Sequence, residues 1–463
     1  MDFTSNFFII LIIIFYLVLA FLKRICNLSE KGVDSWVLMA SFSIYTLWYP
    51  PATIILLYVI GVAYIFAGML LKKKHTGLLW LAVLLTLVPL LYFKYTGFFA
   101  SLWGSEGVYN IALLLPLGIS FYVFTAVGYL VGVYREQENK HLSLKKLSLL
   151  ISFWPHLAAG PILRASLFKS NKHRFAIVDG PVIMMGIVMV IGGAAKKLLI
   201  ADNLGSYVNQ NVSIGLQEMD AITALLTVFG FGGQIYADFS GYSEMAIGFA
   251  LLIGFRLPAN FNYPYSAFNI TEFWRRWHIS LSTWFRDFVY IPLGGRTQNL
   301  IKGSLVVLVV FLISGLWHGA AVSFVIWGGL HGLYLIVSRL YALKFNPINK
   351  TLSWLITFFA VNWAWVFFRF NYQEATLLTH KLFNINDWLR FQLDSAYYTL
   401  PIVGFLILVF IDHKFKYYSV NGAGQLEVFK KRSKNKTYLY LSFMFVLAVF
   451  FHGEPVPFIY FEF

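Results

Sequence analysis

Residues Ala52 to Leu71 read ATIILLYVIGVAYIFAGMLL, twenty positions without an Asp, Glu, Lys or Arg. A helix of that length is roughly 30 Å long, the thickness of the hydrocarbon layer of a bilayer. The stretch is not isolated. Phe7 to Leu22, Trp36 to Trp48, Gly77 to Leu91 and Ile111 to Val133 are also free of formal charge. Of the 463 residues, 59% are hydrophobic and 12% charged, too few polar groups to clothe a soluble domain of this size. Lipid is therefore the expected solvent. Only helices or closed barrels satisfy their backbone in lipid, and runs this long and apolar select helices. The fold class expected is all-α, a polytopic integral membrane protein with roughly 10 to 12 membrane segments. Neither a composition shift nor a fixed-period repeat marks a second domain, so residues 1–463 are expected to form a single membrane domain.

Charge placement gives this domain an orientation. The net charge is +15, with Lys and Arg gathered in short connections: Lys23-Arg24, Lys72 to Lys74, Arg135 to Lys146, Lys172 to Arg174 and Lys430 to Lys436. Basic clusters between apolar runs follow the positive-inside pattern, and an anionic lipid leaflet suffices as their partner. No nucleic acid is needed to explain the charge. The first run begins almost at Met1 and lacks a preceding basic region. Lys23, Arg24 and Cys26 follow it in place of a small-residue cleavage site, so it reads as a first transmembrane helix. Cys26 is the single cysteine, which excludes an intramolecular disulfide and a cysteine-cluster metal site. With Lys23-Arg24 inside, successive runs place Lys72 to Lys74 and Arg135 on the cytoplasmic side.

Later segments are less regular. Leu147 to Leu163 is broken by Pro155, Gly160 and Pro161, a break tolerated only where protein or water surrounds it. Pro181 to Ile200 is interrupted by Lys196 and Lys197 near its end. Ala221 to Phe255 is long enough for a bent helix or two short segments. Further spans are expected at Gly303 to Leu316, Ala320 to Val337, Leu352 to Phe368, Leu400 to Ile411 and Tyr438 to Phe451.

The unusual chemistry lies between Gly232 and His331. In Tyr236-Ala237-Asp238-Phe239-Ser240-Gly241-Tyr242-Ser243-Glu244, two carboxylates interrupt an apolar run, which is costly unless they face protein or water. Asp238 reads either as a functional group or as a hydrogen-bonding group at a helix break. Next, Thr271 to Phe288 contains Trp274, Trp277, His278 and Leu281, which share one face if the segment is a continuous helix. Arg275, Arg276 and Arg286 alternate with aromatics there, as they would in an interfacial amphipathic helix. Finally, Ser314-Gly315-Leu316-Trp317-His318-Gly319 sets His318 between apolar segments with no charged neighbour in sequence. Burial would keep that imidazole neutral, the form a general base requires. The bland reading is a hydrogen bond between packed helices, with Gly315 and Gly319 allowing close approach. His331 reads as a structural or tunnel-lining residue. HExxH, the P-loop and the G-x-S-x-G elbow are all absent, and His278 with His318 makes no complete ligand set, so no metal is expected.

Tyr236 to Ser243, Asn260-Phe261-Asn262-Tyr263-Pro264, Phe273 to Phe288, Ile291-Pro292-Leu293-Gly294-Gly295 and Trp317-His318-Gly319 together resemble the membrane-bound O-acyltransferase family. Ala159-Gly160-Pro161-Ile162 and Pro457-Phe458-Ile459-Tyr460-Phe461 extend the likeness along most of the chain. The Ile291 to Gly295 turn resembles the alginate O-acetyltransferase branch; the teichoic acid D-alanyl transfer proteins are more distant relatives without it. The resemblance implies a helical fold with a central funnel, His318 as the catalytic histidine at its narrow point, and His278 as the second family histidine. Trp317, Asp238, Tyr242, Trp274, Trp277, Arg275, Arg276, Arg286 and His331 are candidates to line the substrate path. The implied protein sits in a bacterial cytoplasmic membrane and has no tightly bound cofactor. It uses acetyl-CoA or another acyl thioester as donor and an exported polysaccharide as acceptor, with an SGNH-like extracytoplasmic acetyltransferase as partner. D-alanyl transfer, or transport without bond formation, are the alternative activities. After Gly319 the alginate proteins often continue Ala-Asn, whereas Ala320 is followed here by Ala321, a difference bearing on the acceptor pocket.

Overall fold

A computed structural model describes residues 3–27, 29–102, 115–135, 141–170, 180–388, 403–404, 418–420, 426–428 and 455–459. The expected span at 438–451, most of that at 400–411 and the basic clusters at 172–174 and 430–436 lie outside them. Among the described residues nearly all regular structure is helical; a short antiparallel pair, β1 (Tyr418–Val420) and β2 (Leu426–Val428), is the exception. The chain packs into two compact units, Met1–Val190 with Ser243–Pro258, and Ile191–Tyr242 with Ala259–Phe463.

The first unit contains α1 (Asn6–Arg24), α2 (Glu30–Trp48), α3 (Pro50–Lys72), α4 (Thr76–Leu102), α5 (Ile119–Tyr134), α6 (Leu144–Ser152), α7 (Trp154–Leu157) and α8 (Ala165–Ser170). It also holds most of α9 (Gly180–Ala195) and the end of α11 (Ala221–Leu252). Helix starts follow local chemistry. Ser29 accepts from the Gly32 amide to open α2, and Pro50-Pro51 fill the first positions of α3, where no amide donor is needed. The break expected within Leu147 to Leu163 falls at Phe153, between α6 and α7. It is embedded in protein: Trp154 and His156 are fully buried, the Trp154 amide donates to Ser41 Oγ at 3.2 Å, and His156 Nε2 lies 3.1 Å from the Leu150 carbonyl. The backbone polarity released by the break is thus met by side chains.

The second unit takes up the end of α9 and a π-helical turn at Lys196–Ala201, followed by α10 (Asp202–Ile214) and most of α11. Then come the short α12 (Ile270–Arg276) and α13 (Ile279–Phe285), and the long α14 (Leu300–His318), α15 (Val322–Lys344) and α16 (Lys350–Arg369). Helices α17 (Tyr372–Phe383) and α18 (Ile385–Trp388) follow. Seven of the described helices are long and apolar enough to cross a membrane: α3, α4, α9 running on into α10, α11, α14, α15 and α16. Helix α11 is one uninterrupted element of 32 residues rather than two segments.

Asp238 consequently does not sit at a helix break. It lies within α11, and its charge is compensated by a lysine 41 positions earlier in the chain. Lys197 Nζ stands 3.1 Å from Asp238 and 2.7 Å from Asp202, all three side chains being buried. The same ammonium donates to the Val456 carbonyl at 2.6 Å, and the Ile459 amide donates to Asp238 Oδ2 at 2.8 Å. Residues 456–459 are thereby pinned to α11, with Phe458 stacked on Tyr242 at 4.3 Å.

Helices α14 and α15 cross backbone to backbone. A Cβ at Gly315 would stand 2.2 Å from the Phe324 carbonyl oxygen, and one at Gly328 would stand 2.2 Å from that of Phe311. Gly319 plays a different part from Gly315. It ends α14 in extended backbone, and a Cβ there would strike the Phe324 ring.

Thermal midpoints of variants purified in detergent test both the helix crossing and the ion pair. Gly328→Val is expected to cost about 1–3 kcal/mol through overpacking, lowering the thermal midpoint. Gly329→Ala, whose new methyl meets Leu312 at 3.7 Å, should leave the midpoint in place or raise it. Lys197→Met strands buried carboxylates and should cost about 3–5 kcal/mol. Adding Asp238→Asn to that variant should restore part of the loss; an unchanged midpoint in Lys197→Met would disprove the role given to the ion pair.

Candidate active site

The segment expected to be one amphipathic helix is two. After Arg276 the chain leaves helical geometry: Trp277 is extended, and His278 adopts φ 41°, ψ 56°, a left-handed conformation that costs a non-glycine residue about 1–2 kcal/mol. The segment 260–262 holds it there. The Asn262 amide donates to the Arg276 carbonyl at 2.9 Å, and the Ile279 amide donates to the Asn260 carbonyl at 2.8 Å. His278 is therefore fully buried, not displayed on an interfacial face.

Asn260 also sets the tautomer of His278. The atom facing the ring is the Asn260 oxygen, because it accepts from the Ser280 amide at 3.3 Å and the Ser280 hydroxyl at 2.8 Å. His278 Nδ1, 3.1 Å from that oxygen, must donate to it, which leaves the lone pair of the neutral ring on Nε2. Burial pushes the His278 imidazole down to about 3, so the neutral form prevails. Phe239 packs edge-on against the ring with centroids 4.7 Å apart.

His318 is the last residue of α14, and it too is buried. Trp317, Trp327 and Phe368 surround its ring at centroid distances of 4.7, 4.9 and 5.0 Å. Trp317 touches both histidines, its ring lying 6.2 Å from that of His278. The two candidate histidines, 40 positions apart in sequence, thus both contact a single indole.

The remaining candidates divide. Trp274 donates its indole N–H to His331 Nδ1 at 3.3 Å, and both rings pack on Trp327, at 5.9 and 5.0 Å, which joins them to the surroundings of His318. Trp277 is core, packed among Tyr236, Phe261, Phe273 and Trp365. Asp238 and Tyr242 belong to the contacts with residues 456–459. Arg276 pairs with Glu272 and also donates to the Asn262 carbonyl and Ser266, while Arg286 chelates Asp287 at 2.7 and 3.1 Å. Arg275 is exposed. Trp327, Phe368 and Asn260 were not singled out individually from sequence. The two rings look like ordinary span residues, and Asn260 stands out only within the Asn-Phe-Asn-Tyr-Pro motif. No three His, Cys, Asp or Glu side chains converge as metal ligands among the described residues.

Comparison with known proteins identifies the family of the chain. The family model described as MBOAT, membrane-bound O-acyltransferase family, matches residues 36–379. The chain is 35% identical over 427 residues to a probable alginate O-acetylase, AlgI, of Pseudomonas aeruginosa, covering 89% of this chain and 80% of that one. It is 37% identical over 383 residues to a peptidoglycan O-acetyltransferase of Helicobacter pylori, covering 74% and 72%. A teichoic acid D-alanyltransferase of Bacillus subtilis is more distant, at 28% identity over 294 residues covering 61% and 73%. A match across most of the chain, on a multi-pass helical fold, shows that the chain belongs to the membrane-bound O-acyltransferase family.

Proposed function

We propose that this membrane enzyme moves an acetyl group from a cytoplasmic acyl thioester to hydroxyl groups of an exported polysaccharide, with His318 as general base. The observation carrying this reading is His318 itself, buried at the end of α14 against indole and phenyl rings and one indole away from His278. The neutral form of an imidazole can accept a hydroxyl proton. As the acceptor oxygen attacks the thioester carbonyl, His318 takes that proton. Collapse of the tetrahedral intermediate breaks the C–S bond, and the proton passes to the departing sulfur, giving an ester and a free thiol. His278, held by Asn260 in a single orientation, positions the reacting groups beside Trp317.

Acetyl is the acyl group favoured because two relatives aligned over most of their length are O-acetyl transfer proteins by name, whereas the D-alanyl relative is more distant. Acetyl-CoA, directly or through a carrier, is the proposed source. The basic clusters at Lys72 to Lys74 and Arg135 orient the chain toward a cytoplasmic donor, and the polymer lies on the other side. An extracytoplasmic SGNH-like acetyltransferase is the proposed partner completing delivery.

The test is polymer acetylation in a strain lacking the gene. Complementation with the wild-type gene should restore ester content, and His318→Ala at equal membrane abundance should leave it below about 1% of wild type, a loss of the size expected for a general base. Full restoration by His318→Ala would sink the assignment, and recovery of alanyl in place of acetyl esters would move the protein to D-alanyl transfer.

A further inference from the structure

Three indoles of the second unit, buried or half-buried, have acceptors. Trp365 Nε1–H donates to the Tyr265 hydroxyl at 3.2 Å, Trp354 Nε1–H to the Tyr265 carbonyl at 2.8 Å, and Trp274 Nε1–H to His331. That is the usual state of a tryptophan out of water. Trp327 departs from it. Its ring is fully buried, and Nε1 has no hydrogen-bond partner among the described residues.

His331 shows the same condition one helical turn further along α15. An indole N–H can only donate, so the bond from Trp274 fixes His331 Nδ1 as the acceptor. The neutral ring therefore carries its hydrogen on Nε2. That atom is also buried and has no hydrogen-bond partner among the described residues. Trp327 and His331 stand at i and i+4, on one face of the helix, with ring centroids 5.0 Å apart. Two N–H donors without an acceptor in an apolar interior cost about 1–3 kcal/mol each. Such a cost is tolerable where a ligand supplies the acceptor, and the Trp327 ring lies 4.9 Å from that of His318.

Resting on the acyl-transfer reading above, we propose that Trp327 Nε1–H, seconded by His331 Nε2–H, binds the carbonyl oxygen of the acyl thioester and stabilises the oxyanion formed on it. When the acceptor hydroxyl attacks, the C=O π pair moves onto that oxygen while His318 receives the proton. When the intermediate collapses, the pair returns, the C–S bond breaks and the sulfur is protonated from His318. The donors are neutral, so they gain most when the oxygen becomes charged, which favours the transition state over bound substrate.

The experiment replaces Trp327 by β-(3-benzothienyl)alanine, an indole isostere with sulfur in place of the N–H, in the full-length protein. Acetyl transfer from acetyl-CoA to a soluble glycan oligomer is followed as thiol release. Loss of one oxyanion donor should lower kcat about 100- to 1,000-fold while KM stays within about threefold. The same isostere at Trp365, whose N–H is held by Tyr265, should leave kcat within about threefold. The proposal is overturned if the position-327 isostere turns over like wild type, if it raises KM alone, or if both isosteres lose activity equally, which would mark a packing role. An inactive wild-type protein would instead remove the acyl-transfer reading, and the two failures are therefore distinguishable.

Discussion

One ammonium group organises the second unit. Lys197 lies between Asp202 and Asp238 at 2.7 and 3.1 Å, in surroundings where an unpaired carboxylate would be several kcal/mol out of place. Its geometry fixes more than charge. Asp202 opens α10, Asp238 sits in mid-α11, and Val456 and Ile459 bring residues 456–459 to the same point. With α11 held in register, Phe239 is directed against His278 and Tyr242 against Phe458. The ion cluster is thus structural in its contacts. It reaches the candidate chemistry through one phenyl ring rather than through a shared proton.

The second determinant is steric. Gly315 and Gly328 let α14 and α15 approach until backbone touches backbone, which sets Trp327 against His318. The turn at His278 brings the other histidine to the same indole, Trp317. Neither device alone would join the two residues. The first positions the end of a membrane helix, and the second bends a short helical segment around Asn260.

Much of this was legible in the sequence, for identifiable reasons. The spans at Ala52 to Leu71 and Gly303 to Leu316 are long charge-free runs, and length and charge suffice to find them. Pro155 and Gly160 announced a break that falls at Phe153. His318 stood out because a lone imidazole between apolar runs is conspicuous. By contrast, Thr271 to Phe288 contains no Gly or Pro, so its helical periodicity runs unbroken through the very residue that departs from it. The bonds that impose the break come from residues 260–262, and local pattern cannot show them. Asp238 appeared costly because its partner lies 41 positions earlier in the chain, where Lys197 read as a blemish at the end of a span. Trp327 was invisible for the opposite reason: a tryptophan inside an apolar run looks like core until its N–H is traced and found without an acceptor among the described residues.

The distribution of charge across the second unit also has a chemical logic. The guanidinium groups of Arg276 and Arg286 are engaged by Glu272 and Asp287, and Arg275 is exposed, whereas indole and phenyl rings are among the groups that pack on His318. A guanidinium against a general base would lower its affinity for a proton, and a carboxylate would hold the proton too long for transfer to a leaving sulfur. Neutral N–H dipoles avoid both faults. In a low-dielectric interior they interact strongly with an oxygen that becomes charged and weakly with the carbonyl that precedes it. Rings of this kind also exclude water, which would otherwise compete with the proposed acceptor for the acyl donor. The proposed site at the end of a membrane helix would therefore be better served by neutral N–H donors than by the ion pairs that hold the same unit together.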